Sequence, residues 1–345
     1  MTDTGNRFAE FCGTVFVYLC MKKPKRTEKA PVDQRKEISV KKNYWKIFAA
    51  ASAAVLLLSG CGGSADKEPD QAVLDSIADL AANAADRVYG GIVYSETDAD
   101  FMGNAGEVTL NEGDLYALIR VKDYGDIRIK LFPEAAPYGV QNFIDLASSD
   151  YFTNKSIHRV ISDFMLQGGS LNGDGTGGTS ADGGEFYCEI NPRMRHFYGA
   201  LCYANAGGRN TCQFYIVNNK EPQIVDDDYY ASMAVEYLDY KNLFLEYRDN
   251  YDENSYEYAY FDMQAQSCLT SVDGYTFLQG KDADGSVAAK YAEAGGTPHL
   301  DGSYTVFGQT VEGFDVIDAI SAVETDENDA PLKEILISSV TIHTA

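Results

Sequence analysis

The chain has 345 residues, 45% of them hydrophobic and 23% charged, which is ordinary for a folded protein with one large domain or two smaller ones. It contains 28 basic and 52 acidic residues, a net charge of −24. Residues 1–60 carry a surplus of six positive charges, so the remainder carries −30. Phosphate binding needs a basic face, and this balance therefore argues against a nucleic acid partner. It also implies that contact with anionic lipid requires a separate anchor.

The first candidate element is a secretory signal. Lys41 and Lys42 precede an uncharged apolar run over residues 47–58, which is followed by small residues. These are the parts of a signal peptide, and the run is shorter than the ~20 residues that span a bilayer. Leu-Ser-Gly-Cys at 58–61 resembles the bacterial lipobox. It predicts that Cys61 is the lipidated first residue of the mature protein, extracytoplasmic and anchored to the bacterial cell membrane. An ordinary signal or a short anchor is the alternative.

The segment before this signal does not belong to it. Residues 1–39 are of mixed charge and precede the basic start, so we predict that translation begins near residue 40. Residues 1–60 then form an N-terminal extension with the signal peptide. Residues 61–112 form a lipidated tether with a short helix, because apolar residues recur near helical spacing within 72–88.

The folded part is predicted to open with two strands and a helix. Leu115–Val121 has the composition of a strand, and residues 127–131 alternate apolar and polar side chains as a half-buried strand does. Pro133 and Pro137 end this run and start a helix. Its apolar stripe consists of Val140, Phe143, Ile144 and Ala147.

The C-terminal part contains two further strands and a helix. Residues 306–308 are predicted to form a strand and its exit. The helix that follows places Phe314, Ile317 and Ile320 on one side. Residues 335–342 form the last predicted strand.

Residues 219–297 are rich in tyrosine and acidic side chains. Aromatic and apolar residues at helical spacing over 233–247 predict one helix. Ser286–Ala294 predicts a second helix, which ends at the glycines 295–296. We interpret the segment as helices that pack against the flank of the fold. The alternative is a surface that contacts other proteins, since aromatic residues suit such contacts.

Neither the cysteines nor the acidic loops predict a metal site. Four cysteines follow the predicted anchor: Cys188, Cys202, Cys212 and Cys268. Their spacing matches no metal-binding pattern, and we interpret them as buried free thiols, although disulfides can form outside the cytoplasm. The acidic runs at 226–228 and 282–285 are interpreted as solvated loops. The second has Val287 where an EF-hand loop needs glycine.

Three segments carry the chemistry. Residues 158–169 read His-Arg-Val-Ile-Ser-Asp-Phe-Met-Leu-Gln-Gly-Gly, which combines one fixed cation, two large apolar side chains and an amide. Residues 204–215 contain Ala-Asn-Ala-Gly and then Gln-Phe-Tyr, and residues 299–308 contain His-Leu-Asp-Gly and then Val-Phe-Gly. Together they closely resemble the cyclophilin family of peptidyl-prolyl cis–trans isomerases. The resemblance covers residues 113–218 and 296–345.

This resemblance implies a mostly β fold, a closed eight-stranded antiparallel barrel capped by two helices. The family opens with two strands and then a helix, in the same order as this sequence. Closure would leave no open sheet edge. Residues 113–345 then form the cyclophilin-like domain, and the segment 219–297 is a helical insertion with no counterpart in a minimal member of the family.

The reaction itself defines what the site must contain. Rotation about an X–Pro bond faces a barrier of ~18–20 kcal/mol because the amide is resonance-stabilised. No bond breaks, so the reaction needs no nucleophile, metal or cofactor. It needs an apolar slot for the proline ring and a donor to the prolyl nitrogen, whose lone pair is available only in the twisted amide. Arg159 is the predicted donor, because it is always charged and presents a planar fork of N–H groups. The resemblance gives this arginine the central catalytic role as well.

The neighbours of the arginine are assigned to the same site. Phe164 and Met165 are predicted to form the floor of the proline pocket, with Phe164 counted among the catalytic residues. Gln167, also counted as catalytic, is predicted to fix Arg159 or to bind a substrate carbonyl. Strand alternation is expected to send His158 to the opposite face, as a structural side chain.

Further substrate contacts are expected from other segments. Ala204 and Asn205 are predicted to pair with the substrate backbone as an added strand does. Residues 175–178 resemble the family's loop near the pocket for residues that precede proline. The resemblance also implies Gln213 as a groove residue and Leu300 as a wall of the proline pocket.

Three pocket residues depart from the family pattern. Tyr215 stands where many members have phenylalanine, Tyr304 where many have histidine, and His299 where some have tryptophan. The tyrosines keep an aromatic body and add a hydroxyl, so the pocket shape is expected to survive while its polarity changes. His299 is expected to weaken cyclosporin binding, because that indole contacts the drug in the family.

The sequence thus predicts a lipid-anchored prolyl isomerase. It would act as a monomer on proline-containing unfolded or exported polypeptides and assist their folding. The alternative is a lipid-anchored chaperone or binding module on the same fold with weak or no catalysis. A hydrolase is disfavoured because no serine, cysteine or carboxylate lies in a recognisable nucleophile setting.

Overall fold

The structure, a computed structural model, describes residues 68, 71–84, 88–89, 92–94, 108–226, 228–282 and 284–345. All of them belong to the second of two compact units of the chain, Asp66–Ala345. The predicted extension, the signal peptide and Cys61 lie outside the described residues. Of the helices within the described ranges, none is long and apolar enough to cross a membrane.

The described residues form six helices and eleven strands. The helices are α1 Gln71–Ala84, α2 Pro137–Ser148, α3 Tyr229–Arg248, α4 Tyr256–Leu278, α5 Ser286–Ala294 and α6 Phe314–Ser321, with a short 3-10 turn at Pro298–Leu300. The strands are β1 Val88–Tyr89, β2 Ile92–Tyr94, β3 Leu115–Val121, β4 Gly125–Leu131, β5 Ile157–Ile161, β6 Met165–Gly168, β7 Phe186–Ile190, β8 Ala200–Ala206, β9 Arg209–Val217, β10 Val306–Glu312 and β11 Ile337–Thr344.

The strands join in one sheet. Its main path runs β1-β2-β7-β9-β8-β10-β4-β3-β11, and β6 pairs with β9 and carries β5. The pairings among these strands are antiparallel except that of β2 with β7, which is parallel. The predicted closed, eight-stranded, purely antiparallel barrel is therefore not confirmed.

The strands β5 and β11 lie where such a barrel would close. In the described structure no ladder joins them, and their contact is an isolated bridge between Ser156 and Leu336. Two backbone hydrogen bonds flank that bridge, from Ile157 N to the carbonyl of residue 335 at 2.9 Å and from Ile337 N to the carbonyl of residue 155 at 2.8 Å. Both strands are irregular at this point, β5 after Ile157 and β11 after Ile337. Such bulges bend a strand and end its pairing, which explains the missing ladder.

Two helices, α2 and α6, cover the core, as predicted. The predicted stripe of α2 is buried in full: Val140, Phe143, Ile144 and Ala147. On α6, Ile317 and Ile320 are buried, and Phe314 packs against the core while only partly buried. Full burial of a valine, isoleucine or phenylalanine side chain contributes ~1.5–3 kcal/mol, so these stripes hold both helices on the sheet.

The insertion contains three helices, of which α3 and α5 confirm the prediction. Between them lies α4, which packs on α3 through rings such as Phe261, with centroids 5.6 Å from Tyr247 and 6.3 Å from Phe244. Asp282 is not simply solvated. Its carboxylate accepts from the backbone N–H groups of residues 287 and 288, each at 2.9 Å, and so caps α5.

The segment before residue 113 also contributes to the fold. Helix α1, predicted within 72–88, packs its partly buried Val73 and Leu74 against the core. Strand β2 extends the sheet, and the ring of Tyr94 lies 4.3 Å from that of Phe277 on α4. The four cysteines of the folded part are buried thiols, in agreement with their interpretation from the sequence.

Candidate active site

Three neighbouring strands place Arg159, Gln167 and Tyr215 side by side. The register pairs Arg159 with Gln167 across β5 and β6, and Gln167 with Tyr215 across β6 and β9. Directly paired residues project their side chains to the same face of a sheet. The intervening Leu166 and Ile216 belong to the core, so the row lies on the face opposite to it.

The Arg159 side chain is held by a carboxylate. Its Nε donates to Oδ2 of Asp329 at 3.2 Å, and 28% of the arginine side chain is exposed. In the described part of the chain Asp329 bonds this guanidinium through Nε alone, and no protein group bonds its two η nitrogens. The carbonyl of Asp329 accepts from Val160 N at 2.9 Å, which fixes this turn beside β5. No sequence pattern points to Asp329, because it lies 170 residues from its partner.

Gln167 was predicted to fix Arg159 or to bind a substrate carbonyl, and its side chain bonds Gln213 instead of Arg159. Its Nε2 donates to Oε1 of Gln213 at 3.1 Å. The residue that bonds Arg159 is Asp329 instead. Gln213 in turn donates to the carbonyl of Gly175 at 2.9 Å. The two amides therefore connect the row of site residues with the loop 175–178.

His158 contacts the same loop from another side. Its Nδ1 lies 3.2 Å from Oγ of Ser170, and that hydroxyl accepts from Gly175 N at 3.1 Å. Burial lowers the pKa of His158, so the imidazole is neutral at pH 7. A neutral ring bonded to the serine that holds the loop suits a structural role.

Four of the residues predicted for the proline pocket form two pairs of contacting rings. The Phe164 and His299 rings stack with centroids 5.8 Å apart, although 135 residues separate them. The Tyr215 and Tyr304 rings meet edge to face at 6.0 Å. Leu300 is buried on the turn that carries His299. Met165 is buried at the start of β6.

The hydroxyl that Tyr215 adds is bonded within the protein. Its oxygen lies 2.9 Å from Nε2 of His196, whose Nδ1 lies 2.7 Å from Oδ1 of Asp301. His196 and Asp301 are each 1% exposed. Neither was predicted as a site residue, and the one available signal was an aspartate within the motif at 299–302. The extra polarity of the tyrosine is therefore met by an internal partner.

Ala204 and Asn205 lie on β8. The Asn205 side chain serves the protein itself, since Nδ2 donates to the carbonyl of Ser303 at 2.8 Å and Oδ1 accepts from Gly208 N at 3.3 Å. Among the described strands, β10 pairs with β8 no further than Tyr203. The backbone edge beyond it suits an added extended segment, which stays a prediction.

Comparison with known proteins places the chain in a family. The family model described as "Cyclophilin type peptidyl-prolyl cis-trans isomerase/CLD" matches residues 116–235 and 287–342. The unmatched residues 236–286 lie within the insertion. A Staphylococcus saprophyticus protein named as a peptidyl-prolyl cis–trans isomerase is 32% identical over 235 residues, 67% of this chain and 93% of that one.

Two other similarities are partial. A Streptococcus pyogenes protein named as a bifunctional phosphatase/peptidyl-prolyl cis–trans isomerase is 33% identical over 223 residues, and the match spans 64% of this chain and 37% of that one. A crystal structure of a Cryptosporidium parvum cyclophilin-type isomerase, determined in the presence of the dipeptide Ala-Pro, is 22% identical with a TM-score of 0.43 over 67% of this chain and 99% of that one. The family model and the staphylococcal relative show that this chain, with its mostly β fold and its helices, belongs to the cyclophilin-type peptidyl-prolyl cis–trans isomerase family.

Proposed function

We propose that this chain accelerates cis–trans rotation of X–Pro bonds in exported or surface polypeptides and thereby assists their folding. The observation that carries the proposal is the state of Arg159. Its Nε is held by Asp329, while its η nitrogens are left for a substrate in register with Gln167 and Tyr215. An arginine held in this way is a preorganised donor, which is what a reaction without bond breaking requires.

The catalytic cycle then proceeds by binding and rotation alone. The proline ring enters the slot formed by Phe164, Met165 and Leu300. An η N–H of Arg159 donates to the prolyl nitrogen as the amide twists and its lone pair is released, and Gln167 donates to a substrate carbonyl. This donor bond exists only in the twisted state, so it lowers the barrier without strengthening ground-state binding. Loss of one preorganised donor costs about 10²–10³-fold in rate in other enzymes.

A protease-coupled assay on an X–Pro peptide tests this proposal. The assay compares wild type with Arg159→Ala and with Arg159→Lys, which keeps the charge but loses the planar fork. We expect kcat/KM to fall by about 10²-fold in Arg159→Ala and by a smaller factor in Arg159→Lys. A wild type no faster than Arg159→Ala would refute the proposal.

We extend the proposal to the membrane surface. The support is the sequence before residue 62, in which a basic start, an apolar run and a lipobox-like tetrapeptide end at Cys61. Each buried CH₂ of an acyl chain contributes ~0.8 kcal/mol, so a multiply acylated Cys61 would hold the acidic domain at the membrane. Labelling with palmitate tests this. We expect label and membrane association in wild type and neither in Cys61→Ala, whereas a membrane-bound Cys61→Ala variant would contradict the anchor.

A second candidate function is client binding without catalysis. It is favoured by large apolar side chains that α3 and α4 expose: Val235, Leu238, Leu243, Tyr256, Met263 and Leu269. Exposed apolar surface of this kind suits contact with unfolded chains. A chaperone would suppress aggregation of a denatured client equally well as wild type or Arg159→Ala, and neither protein would accelerate rotation.

A further inference from the structure

A buried chain of hydrogen bonds connects the insertion with the predicted proline pocket. The Asp301 carboxylate lies at its centre. Oδ2 accepts from the hydroxyl of Tyr230 on α3 at 2.6 Å and from that of Tyr291 on α5 at 2.7 Å. Oδ1 accepts from the backbone N of His196 at 3.0 Å and contacts its Nδ1 at 2.7 Å. The other ring nitrogen of His196 contacts the Tyr215 hydroxyl at 2.9 Å.

Simple chemistry fixes the direction of the bonds to Asp301. Burial acts to raise the pKa of Asp301, but the hydrogen bond and charge of His196 and the charge of Arg195 more than offset it, so the pKa lies below its ordinary value. The carboxylate therefore only accepts, and Nδ1 of His196 must carry the proton that it donates. A hydroxyl can both donate and accept, so the Tyr215 oxygen can bond Nε2 of His196 in either protonation state of the ring. Arg195, which is fully buried, lies 3.5 Å from Oδ2 and balances the charge.

This chain of hydrogen bonds reaches two walls of the predicted pocket. Tyr215 is bonded directly, and the Tyr304 ring lies edge-on to both His196, at 6.4 Å, and Tyr215. Hydrogen bonds to an ionised group are stronger than those between neutral groups. The Tyr215 hydroxyl is therefore the end of a chain of hydrogen bonds that begins at a buried charge, Asp301, and passes through His196.

The remaining helix of the insertion, α4, also contacts the turn at Pro298–Leu300 and the residues that follow it. The Tyr275 hydroxyl of α4 donates to the carbonyl of His299. Ser303 Oγ donates to Ser271 Oγ of the same helix at 2.8 Å. The insertion thus packs directly against a segment that carries predicted pocket residues.

We propose that the insertion positions the proline pocket, with Tyr230 and Tyr291 as positioning residues that act through Asp301 and His196 on Tyr215. This inference rests on the proposed isomerase function. The pocket wall contacts the proline ring equally in the ground state and in the twisted state. Disorder in the wall therefore weakens substrate binding and raises KM, while kcat changes little. A variant that merely unfolds would lower kcat through loss of active protein and leave KM unchanged.

The double variant Tyr230→Phe/Tyr291→Phe tests the proposal, because it removes two hydroxyls and keeps both rings. We expect KM for an X–Pro peptide to rise about tenfold, the scale of one hydrogen bond to a charged group, with kcat within about twofold. Tyr240→Phe is the matched control. It removes a hydroxyl that bonds Glu236 on α3, outside this chain of bonds, and should leave KM unchanged.

A double-mutant cycle with Tyr215→Phe tests whether the effect on KM passes through Tyr215. In that background the bond to His196 is already absent, so the double change should alter KM by less than about twofold. A tenfold rise in both backgrounds, or a fall in kcat at constant KM, would overturn the proposal. If thermal unfolding shows that the double variant does not fold, each single change is taken through the same cycle. If the effect of each single change on KM is then additive with that of Tyr215→Phe, the proposal is overturned.

The same proteins give a readout that does not need catalysis. Calorimetric titration with the X–Pro peptide measures Kd, which should follow the pattern predicted for KM. If wild type is no faster than Arg159→Ala, the isomerase function fails, and the Kd cycle alone decides whether the insertion positions the pocket. A wild type that neither binds nor isomerises the peptide overturns both proposals.

Discussion

Asp329 Oδ2 lies 3.2 Å from Arg159 Nε, in a pair that joins the last loop of the chain to strand β5. Both side chains are partly exposed, at 28% and 39%, and pairs of this kind contribute ~0–1 kcal/mol to stability. The pair is thus of little value for folding. Its consequence is geometric, because it restrains the guanidinium through Nε and leaves both η nitrogens without a bond to Asp329.

We therefore expect Asp329→Ala to reduce activity far more than stability. The kcat/KM for an X–Pro peptide should fall about tenfold as the donor loses its fixed plane, with less than ~1 kcal/mol lost in the free energy of unfolding. Asp126→Ala is the control, because Asp126 forms a more exposed pair with Arg120 at 3.4 Å. Full activity in Asp329→Ala would show that Arg159 needs no such support.

The pH dependence of stability should contain a contribution from Glu189. Its carboxylate accepts from the backbone N–H groups of Tyr138 at 2.9 Å and Gly139 at 2.7 Å, at the start of α2. Burial raises the pKa of Glu189 from 4.5 to about 7, although these hydrogen bonds act to lower it. A raised pKa means that the folded state favours the protonated acid. The resulting stability is fully present below pH ~4.5 and is lost as the pH rises to about 7.

Glu189→Gln removes this contribution. Denaturant unfolding of wild type and variant is measured at pH 4.5 and at pH 7.5. The free energy of unfolding of wild type, relative to that of the variant, should be ~3 kcal/mol lower at pH 7.5 than at pH 4.5. The exposed Glu185→Gln is the control and should follow wild type. A constant difference across this pH range would contradict the assignment.

Replacement of His299 should change drug sensitivity. In the family the tryptophan at this place contacts cyclosporin, and here a smaller imidazole stacks on Phe164. We expect weak inhibition of wild type and inhibition about tenfold stronger in His299→Trp, the scale of one aromatic contact. His343→Trp on β11 serves as the control. Equal inhibition of wild type and His299→Trp would show that other groups decide drug binding.

Helix α4 should not tolerate a side chain at Gly274. A Cβ there would collide with the carbonyl of Gly302, at the turn next to the predicted pocket. Gly274→Ala is expected to lower the free energy of unfolding by ~1–3 kcal/mol, because the helix must move away. Gly184→Ala, where a Cβ meets open space, should cost far less. Chemical denaturation of both variants measures the difference, and equal costs would mean that α4 can shift freely.

Much of the fold could be predicted from local patterns. The stripe of α2 and the alternation of β4 reflect burial that repeats every few residues. Helix α4 escapes such a prediction because small and polar residues, Thr270, Ser271 and Gly274, share its buried face with Phe261 and Tyr275. The closed barrel was not confirmed, since bulges in β5 and β11 and the parallel strand β2 depend on contacts between distant segments.

The site divides in the same way. Arg159 and Gln167 stand eight residues apart in one motif, and two adjacent strands are enough to bring them together. Asp329 and His196 are invisible to such reasoning. Each is defined by a partner more than 100 residues away, Arg159 in one case and Asp301 in the other.

The rate of bond rotation in an X–Pro peptide, measured directly by NMR exchange spectroscopy without a coupling protease, tests the central claim. Catalytic amounts of wild type should accelerate exchange between the cis and trans resonances, and the same amount of Arg159→Ala should be slower by about 10²-fold. Equal exchange rates with wild type and with Arg159→Ala would contradict the account.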